Sequence, residues 1–195
     1  MWRCTVAGLA EFPRDLVTLE EWDALELDEA RRWELVEGGI VMTPRPRPLH
    51  QVVSFNLAQV IRAALPASLA VLLEVEVTVE ARFPPTVRDP DLVVVKRSVV
   101  DRNPVRIDAS DVVLVVEIVS PGSRRTDRVM KAYEYAKAGI EHYWIVDLDT
   151  DPDERFLAHV LRGDAYHRVG SLDEDRVRTE EPLALDFTLE DLTRP

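Results

Sequence analysis

Two almost wholly apolar runs constrain the fold of this chain more than any other feature. Residues 91–95 are Asp-Leu-Val-Val-Val, and residues 112–119 are Val-Val-Leu-Val-Val-Glu-Ile-Val. A strand with one wet face alternates apolar and polar residues, whereas a strand covered on both faces is apolar throughout. We therefore expect both runs to be central strands of a sheet.

The N-terminal third contains two helical patterns separated by a hairpin. Thr18 and Glu21 have the spacing of a capping box, which predicts a helix that ends near Arg32. Two short apolar runs then meet at Gly38-Gly39, as in a β-hairpin. After a proline-rich stretch, residues 50–65 repeat apolar residues with a helical period.

The remaining residues predict further strands and one more long helix. From residue 69 the period changes to two, and the alternation continues to Val79, as in a strand with one wet face. Thr126 or Asp127 begins a helix that Gly139 ends, and residues 141–147 return as a buried strand. The order of these elements predicts an α/β fold with a mixed central sheet flanked by helices.

Length and composition limit the classes of protein that remain. The chain has 195 residues, which predicts one domain over residues 1–195, and its net charge of −12 argues against a generic nucleic-acid coat. No apolar run approaches the roughly 20 residues of a membrane-spanning helix, and the first residues lack the apolar core of a signal peptide. The single cysteine, Cys4, can form no internal disulfide, so we expect a cytoplasmic protein.

Most familiar site signatures are absent from the sequence. The glycines form no phosphate-binding loop, and residues 149–154 imitate a calcium loop but lack its glycine and its final glutamate. The histidines have no metal-ligand spacing and are more typical of surface or hydrogen-bonded residues than of ligands. They are His50, His142, His159 and His167.

Two carboxylates in the apolar runs indicate a different kind of site. Glu117 lies inside the second run, where an isolated carboxylate costs several kcal/mol unless a cation or a donor meets it. Asp91 opens the first run directly after Pro90. If the strands are neighbours, the two acids converge at one point, and paired carboxylates are typical ligands of a hard divalent cation. A structural ion pair for Glu117 and a strand-start role for Asp91 are the alternatives.

Lys131 is the third candidate, because it lies on the helix that follows the Glu117 strand. One helical turn places its ammonium where it can reach back over the end of that strand. Only three of the 24 basic residues are lysines, and a lysine differs from arginine in being a compact charge whose pKa can fall on burial. The alternative is a weak surface pair with Asp127, four residues earlier.

Six ordered segments together resemble one protein family. It is a widespread bacterial family of unknown function, described as candidate restriction endonucleases within the PD-(D/E)XK nuclease superfamily, and the resemblance covers about residues 15–190. The segments are Glu34-Leu-Val-Glu-Gly-Gly, the proline-rich turn to His50, Asp89-Pro-Asp-Leu-Val-Val, Val116-Glu-Ile-Val-Ser-Pro-Gly-Ser, Asp127-x-x-x-Lys131 and Tyr143-Trp-Ile-Val-Asp147.

This resemblance implies a restriction-endonuclease-like core in which Asp91 and Glu117 hold Mg²⁺ or Mn²⁺. Val119 stands where the superfamily motif has its lysine, and Lys131 matches the position from which this family supplies it instead. Glu37 resembles an additional metal-binding acid, with Glu34 as its rival. The implied reaction is hydrolysis of a DNA phosphodiester by a metal-activated water, with the backbone carbonyl of Val119 as an extra ligand.

Five arginines are candidates for binding the phosphates of DNA. They are Arg124, Arg125, Arg128, Arg45 and Arg47. The alternative for all five is a solvated surface in a chain that prefers arginine. We expect a homodimer, since cutting both strands with one site per chain favours a two-fold pair. A catalytically inactive protein that keeps the nuclease fold for binding or assembly is the second function that these residues allow.

Overall fold

The computed structural model describes residues 15–28 and 31–195, and in this part of the chain helices flank mixed β-sheets. The elements are α1 (Leu19–Ala24), β1 (Arg32–Val36), β2 (Gly39–Thr43), α2 (Pro48–Ala64), β3 (Leu69–Leu73), β4 (Val77–Glu80), β5 (Thr86–Arg88), β6 (Leu92–Lys96), α3 (Arg97–Arg102), β7 (Ile107–Asp108), β8 (Val112–Ile118), α4 (Ala132–Lys137), β9 (His142–Val146), β10 (Phe156–Arg162), β11 (Ala165–Val169), β12 (Ser171–Asp173), β13 (Arg176–Thr179), β14 (Leu185–Thr188) and α5 (Leu189–Thr193).

The central sheet has the strand order β11-β10-β9-β8-β6-β3. Strands β8 and β9 are parallel and the other neighbours are antiparallel, so the sheet is mixed, as the sequence predicts. The apolar runs form β6 and β8, which are direct neighbours with Leu92 opposite Val116. Each of the residues from Leu92 to Val95 is completely buried, which confirms that this run is covered on both faces.

Different elements cover the two faces of the central sheet. On one face, Val53, Leu57 and Ile61 of α2 join the core that contains Leu92 and Val94. On the other face, the core that contains Val93 and Val95 includes Tyr135 of α4, Val99 of α3 and Val77 of β4. Alternate residues of β6 therefore enter different cores, as the pleat of a strand requires.

A second sheet has the strand order β2-β1-β5-β4-β7. Its strand β5 directly precedes β6 of the central sheet along the chain. Strand β5 ends at Arg88 and β6 begins at Leu92, so three residues, 89–91, lead from the second sheet into the central one here. The hairpin predicted at Gly38-Gly39 is confirmed, and its strand β1 pairs with β5. This junction brings side chains of the second sheet to the end of the central one.

Two predicted elements were wrong in extent. The first helix ends at Ala24 rather than near Arg32, because Leu25 is extended and Arg32 already begins β1. The predicted single strand from residue 69 to Val79 is two strands in different sheets, β3 and β4. Glu74 separates them with a positive φ of 50°, a conformation that turns an L-residue out of a strand.

Other sequence predictions are confirmed or fall outside the described residues. Helix α2 covers the predicted residues 50–65 to within two positions, and Gly139 ends the helical segment before it with a φ of 80°. No described helix is long and apolar enough to cross a membrane. The predictions for Cys4 and for the N-terminal residues concern positions outside the described ones.

Candidate active site

Asp91 and Glu117 meet at one end of the central sheet. Asp91 immediately precedes β6, and Glu117 is the second-last residue of the antiparallel neighbour β8, so the start of one strand lies beside the end of the other. Oδ2 of Asp91 accepts a hydrogen bond of 2.7 Å from the backbone N–H of Ile118. Both carboxylates are buried, with 4% and 3% exposure. The convergence that the two apolar runs suggest is therefore present in the structure.

Lys131 reaches the same point from the helical segment that follows β8. Its Nζ lies 2.9 Å from Oε1 of Glu117, 3.5 Å from Oε1 of Glu34 and 3.6 Å from Oδ1 of Asp127. The pair with Asp127 is therefore buried, not the surface pair that the sequence allowed as an alternative. Lys131 ends a π-helical turn, Thr126–Lys131, which runs directly into α4, and such turns are frequent at functional sites.

The buried charges perturb one another strongly. Burial raises the pKa of Glu117 to about 8; the charges of Asp91 and Asp127 add to this rise, and Lys131 opposes it. Burial alone lowers the pKa of Lys131, but Glu117, Glu34 and Asp127 outweigh burial and raise it above its ordinary value. Burial by itself would depress the pKa of this lysine, but the three carboxylates reverse that effect and favour the charged form of Lys131.

The hairpin supplies Glu34, not Glu37, to this cluster. Glu34 is buried in β1, and its Oε2 accepts a bond of 2.8 Å from Nη1 of Arg88. Its other oxygen accepts a bond of 3.3 Å from the backbone N–H of Asp89. Glu37 lies in the hairpin turn with a φ of 48°, is exposed, and does not line the cleft above the cluster. Glu37 follows the last residue of β1, so the strand directs only Glu34 toward the cluster.

Two arginines that sequence reasoning missed complete the surroundings of the acids. Arg88 is 2% exposed and binds Glu134 of α4 through two hydrogen bonds of 2.7 Å. Arg32 donates from Nη1 to Oδ1 of Asp91 at 3.0 Å and from Nε to Oδ2 of Asp89 at 2.7 Å. Arg88 directly precedes the Asp89-Pro-Asp91 segment, and this position in the sequence could have identified Arg88 as a residue of the site.

Asp91 is held ionised by its neighbours. Burial raises the pKa of Asp91. Together, His50, Arg32 and the N–H of Ile118 lower it by more than burial raises it, so the pKa lies below its usual value. Nε2 of His50 lies 3.2 Å from Oδ2 of Asp91 and 3.1 Å from the backbone oxygen of Ile118. His50 therefore belongs to the site, although its sequence spacing favoured a non-ligand.

The five predicted phosphate-binding arginines divide into two groups. Arg45 and Arg47 line the cleft above the acids. Arg124 instead binds Asp147 through bonds of 2.6 and 3.0 Å, and Arg128 binds Asp147 at 3.2 Å and also Glu154. Arg125 is exposed outside the cleft lining. The structure therefore gives the cleft two of the five arginines.

The acids form the floor of a cleft of about 540 Å³. Its walls combine the β1–β2 hairpin, the proline-rich turn before α2 and the loop after β8. Apolar and basic side chains of the rim include Val41, Met42, Pro44, Arg45, Pro46, Arg47, Pro121 and Met130. A polar floor beneath a partly apolar rim is a common arrangement of ligand sites.

The floor has more acids than cations. Three cations, Arg32, Arg88 and Lys131, are shared by five carboxylates that line the cleft, which are Glu34, Asp89, Asp91, Glu117 and Asp127. The excess of negative charge in a buried setting favours a further cation at this point. Burial is the main cause of the raised pKa of Glu117, and the neighbouring acids Asp91 and Asp127 add to it.

The donor set fits a hard divalent cation. Within residues 15–28 and 31–195, no three His, Cys, Asp and Glu side chains form a group that could by itself hold a metal ion. Mg²⁺, however, is held in proteins by one or two carboxylates and keeps several waters. Asp91 and Glu117 provide those carboxylates, and the backbone oxygen of Ile118 faces the same point. The N–H of the next residue, Val119, donates to the backbone oxygen of Val146, and a metal contact of the Val119 carbonyl stays a prediction.

Comparisons with known proteins agree with this geometry. The model of the Uma2 family, whose description is "Putative restriction endonuclease", matches residues 19–192. The crystal structure of a putative nuclease belonging to DUF820 from Anabaena variabilis ATCC 29413 is similar, with a TM-score of 0.68 and 20% identity over 91% of this chain and 97% of that one. No curated protein matches. At this identity the solved structure shows the fold, which is restriction-endonuclease-like, and the family match covers most of the chain. The chain therefore belongs to the Uma2 family.

Proposed function

We propose that this protein is a DNA endonuclease that uses Mg²⁺ or Mn²⁺. The observation that supports this function best is the meeting of Asp91, Glu117 and Lys131, all buried, on the floor of one cleft. Lone buried acids serve structural roles in many proteins, but an excess of acids with one lysine above them is what hydrolysis of a phosphodiester needs.

Asp91 and Glu117 would hold the cation, with the backbone oxygen of Ile118 beside them. When bound, the divalent ion polarises the scissile phosphate and lowers the pKa of a bound water. The proximity of Lys131 to Glu117, at 2.9 Å, suits it to orient the attacking water and to stabilise negative charge that develops on the phosphate. Arg32 and His50 keep Asp91 ionised and fixed in position.

The substrate would reach the floor through the rim of the cleft. Arg45 and Arg47 lie on this rim, where a guanidinium can bind phosphate oxygens with two hydrogen bonds. Because the whole chain carries a net charge of −12, DNA binding must depend on such local cations and on the metal. A homodimer would supply two such centres for two strands.

One experiment tests cleavage directly. Plasmid and single-stranded DNA are incubated with the protein and Mg²⁺ or Mn²⁺, with EDTA as the blank and Lys131→Ala as the matched variant. We expect nicking or cleavage by the wild type at a rate at least 100-fold above that of the variant. Equal cleavage by both proteins would reject the assignment, because a contaminating nuclease would then explain the activity.

A second function is favoured by one specific observation. Every carboxylate on the floor has a cationic side chain within 3.6 Å, so the cluster can also be read as a structural network. A protein of this kind would bind or assemble through the nuclease fold without catalysis. It would cleave no DNA with any divalent ion. Any Mn²⁺ that it bound would bind equally well to Asp91→Asn.

A further inference from the structure

His50 stands where two oxygen atoms of the site converge. It lies in the first turn of α2, two residues after Pro48, and is 8% exposed. Its Nε2 is 3.2 Å from Oδ2 of Asp91 and 3.1 Å from the backbone oxygen of Ile118. The helix therefore directs one ring nitrogen at a backbone oxygen and a carboxylate that we assign to the cation site.

The two distances match the spacing of neighbouring ligands around one ion. Ligands at right angles with bonds of about 2.1 Å lie about 3.0 Å apart, which is the octahedral geometry that Mg²⁺ and similar ions adopt. Nε2 of His50, Oδ2 of Asp91 and the backbone oxygen of Ile118 would therefore need to move little to bind one cation between them. Two of these atoms belong to side chains and the third to the backbone.

The other ring nitrogen is placed to fix the tautomer that a ligand needs. A histidine binds metal through an unprotonated nitrogen, and its second nitrogen donates to a neighbouring acceptor. Oγ of Ser54, one turn further along α2 and buried, lies 3.5 Å from Nδ1, at the outer limit of a hydrogen bond. In the metal-free protein Nε2 faces two acceptor oxygens and donates its proton toward them. A cation that replaces this proton requires the tautomer with Nδ1–H, for which Oγ of Ser54 is the acceptor.

We propose that His50 is a direct ligand of the cation and makes this site prefer Mn²⁺, and more strongly Co²⁺, over Mg²⁺. Imidazole suits the later divalent ions, whereas Mg²⁺ prefers oxygen donors, so one nitrogen in an otherwise oxygen set changes the order of affinities. This inference rests on the proposed metal site of Asp91 and Glu117. It adds a nitrogen ligand to that site and a preference among metals.

The direct test is the nitrogen coupling of bound Mn²⁺. Electron spin-echo spectroscopy of the wild-type protein with one equivalent of Mn²⁺ should show the ¹⁴N modulation of a coordinated imidazole. His50→Gln should lack it, and His142→Gln, which changes another buried histidine, should keep it. Bound Mn²⁺ without this modulation in the wild type would overturn the inference, and that result does not depend on how well any variant folds.

Calorimetric titrations test the preference among metals. We expect His50→Gln to weaken Co²⁺ and Mn²⁺ at least tenfold and to change Mg²⁺ binding less than about threefold, because removal of a nitrogen donor affects the later ions most. An equal loss for all three metals would overturn the inference and leave His50 as a hydrogen-bond donor that positions Asp91. Failure of the metal site itself has a different outcome: the wild type then binds no Mn²⁺, or Asp91→Asn binds it unchanged.

Discussion

Two charged clusters share the helical segment that contains Thr126–Lys131, and they differ in balance and in burial. The first is the floor of the cleft, where three buried or largely buried cations face five carboxylates. The second joins Arg124 and Arg128 to Asp147 and Glu154, two cations to two acids.

The second cluster reaches solvent at its edges, since the side chains of Arg124 and Glu154 are 49% and 46% exposed, while Asp147 at its centre is buried. Both clusters consist of the same kinds of residue, so composition does not distinguish them. Balanced pairs that water can reach need no further ion, whereas a buried excess of carboxylates is stabilised by one. We therefore assign the cation site to the first cluster and a structural role to the second.

The largest expected difference is in the Mn²⁺ affinity of two variants, each of which changes one buried aspartate in one of the two clusters. Asp91→Asn should lower the affinity for Mn²⁺ at least 100-fold, because it removes a charge from the proposed ligand set. Asp147→Asn, a matched change at a 1% exposed position in the second cluster, should leave the affinity unchanged. Calorimetry at one pH measures both variants. Loss of binding in Asp147→Asn with retention in Asp91→Asn would reverse the assignment of the two clusters.

The second difference is in stability when one cation is removed from each cluster. Lys131→Met leaves buried carboxylates without their cation, which typically costs about 3–5 kcal/mol in the free energy of unfolding. Arg124→Met should cost much less, because Arg128 still binds Asp147. Urea denaturation at about pH 9 with EDTA compares them, and added Mn²⁺ should recover more stability in Lys131→Met. Equal losses would contradict the difference in burial.

The third difference is in the pH dependence of stability. The pKa of Glu117 is about 8 in the folded protein against 4.5 for an ordinary glutamate, so between these values the folded state holds a proton that the unfolded chain has lost. The free energy of unfolding therefore falls as pH rises through this window, by an amount on the order of a few kcal/mol.

Glu117→Gln should remove this part of the pH dependence in metal-free protein. Asp147 has a lowered pKa, because the effect of its arginines outweighs that of its burial. Its contribution to the free energy of unfolding is therefore lost only when the pH falls below the ordinary pKa of an aspartate. Asp147→Asn should thus leave the slope between pH 5 and 8 unchanged. Denaturation curves at three pH values in EDTA measure the slopes, and an unchanged slope in Glu117→Gln would refute the raised pKa.

The smallest expected difference is in DNA binding by exposed arginines. Arg45→Ala and Arg47→Ala should each weaken DNA several-fold and lower the salt dependence by about one ion per lost phosphate contact. Arg125→Ala removes an exposed arginine outside the cleft lining and should have no effect. Fluorescence anisotropy with Ca²⁺ at several salt concentrations compares the three. A uniform effect of all three variants would indicate nonspecific surface attraction.

The sequence predicts the backbone of the site better than its electrostatics. Strands β6 and β8 follow from continuous apolar runs, and the meeting of Asp91 with Glu117 follows once these strands are neighbours. Arg32 lies 59 residues from Asp91 along the chain, and Arg88 lies 54 residues from Glu34. No local pattern encodes such pairs, since they depend on how the second sheet meets the first.

Smaller errors have similar causes. Glu37 and Glu34 are both acids of the predicted hairpin, and the end of β1 at Val36 leaves Glu34 in the strand and Glu37 in the turn. The break at Glu74 depends on a positive φ in a residue that rarely adopts it, so the run of alternating residues gave no sign of it. No local motif marks His50 as a site residue, because its neighbours in the site are a backbone oxygen and Asp91, which is 41 positions away.

The central claim is that one divalent cation binds between Asp91 and Glu117 beneath Lys131, and a crystal soaked in Mn²⁺ tests it most directly. The anomalous difference map should contain a peak about 2–2.5 Å from oxygens of both carboxylates, consistent with metal–oxygen bonds. A crystal of Asp91→Asn should lack the peak. A peak at Asp147 and Glu154 instead, or no peak at the floor of the cleft at saturating Mn²⁺, would contradict the account.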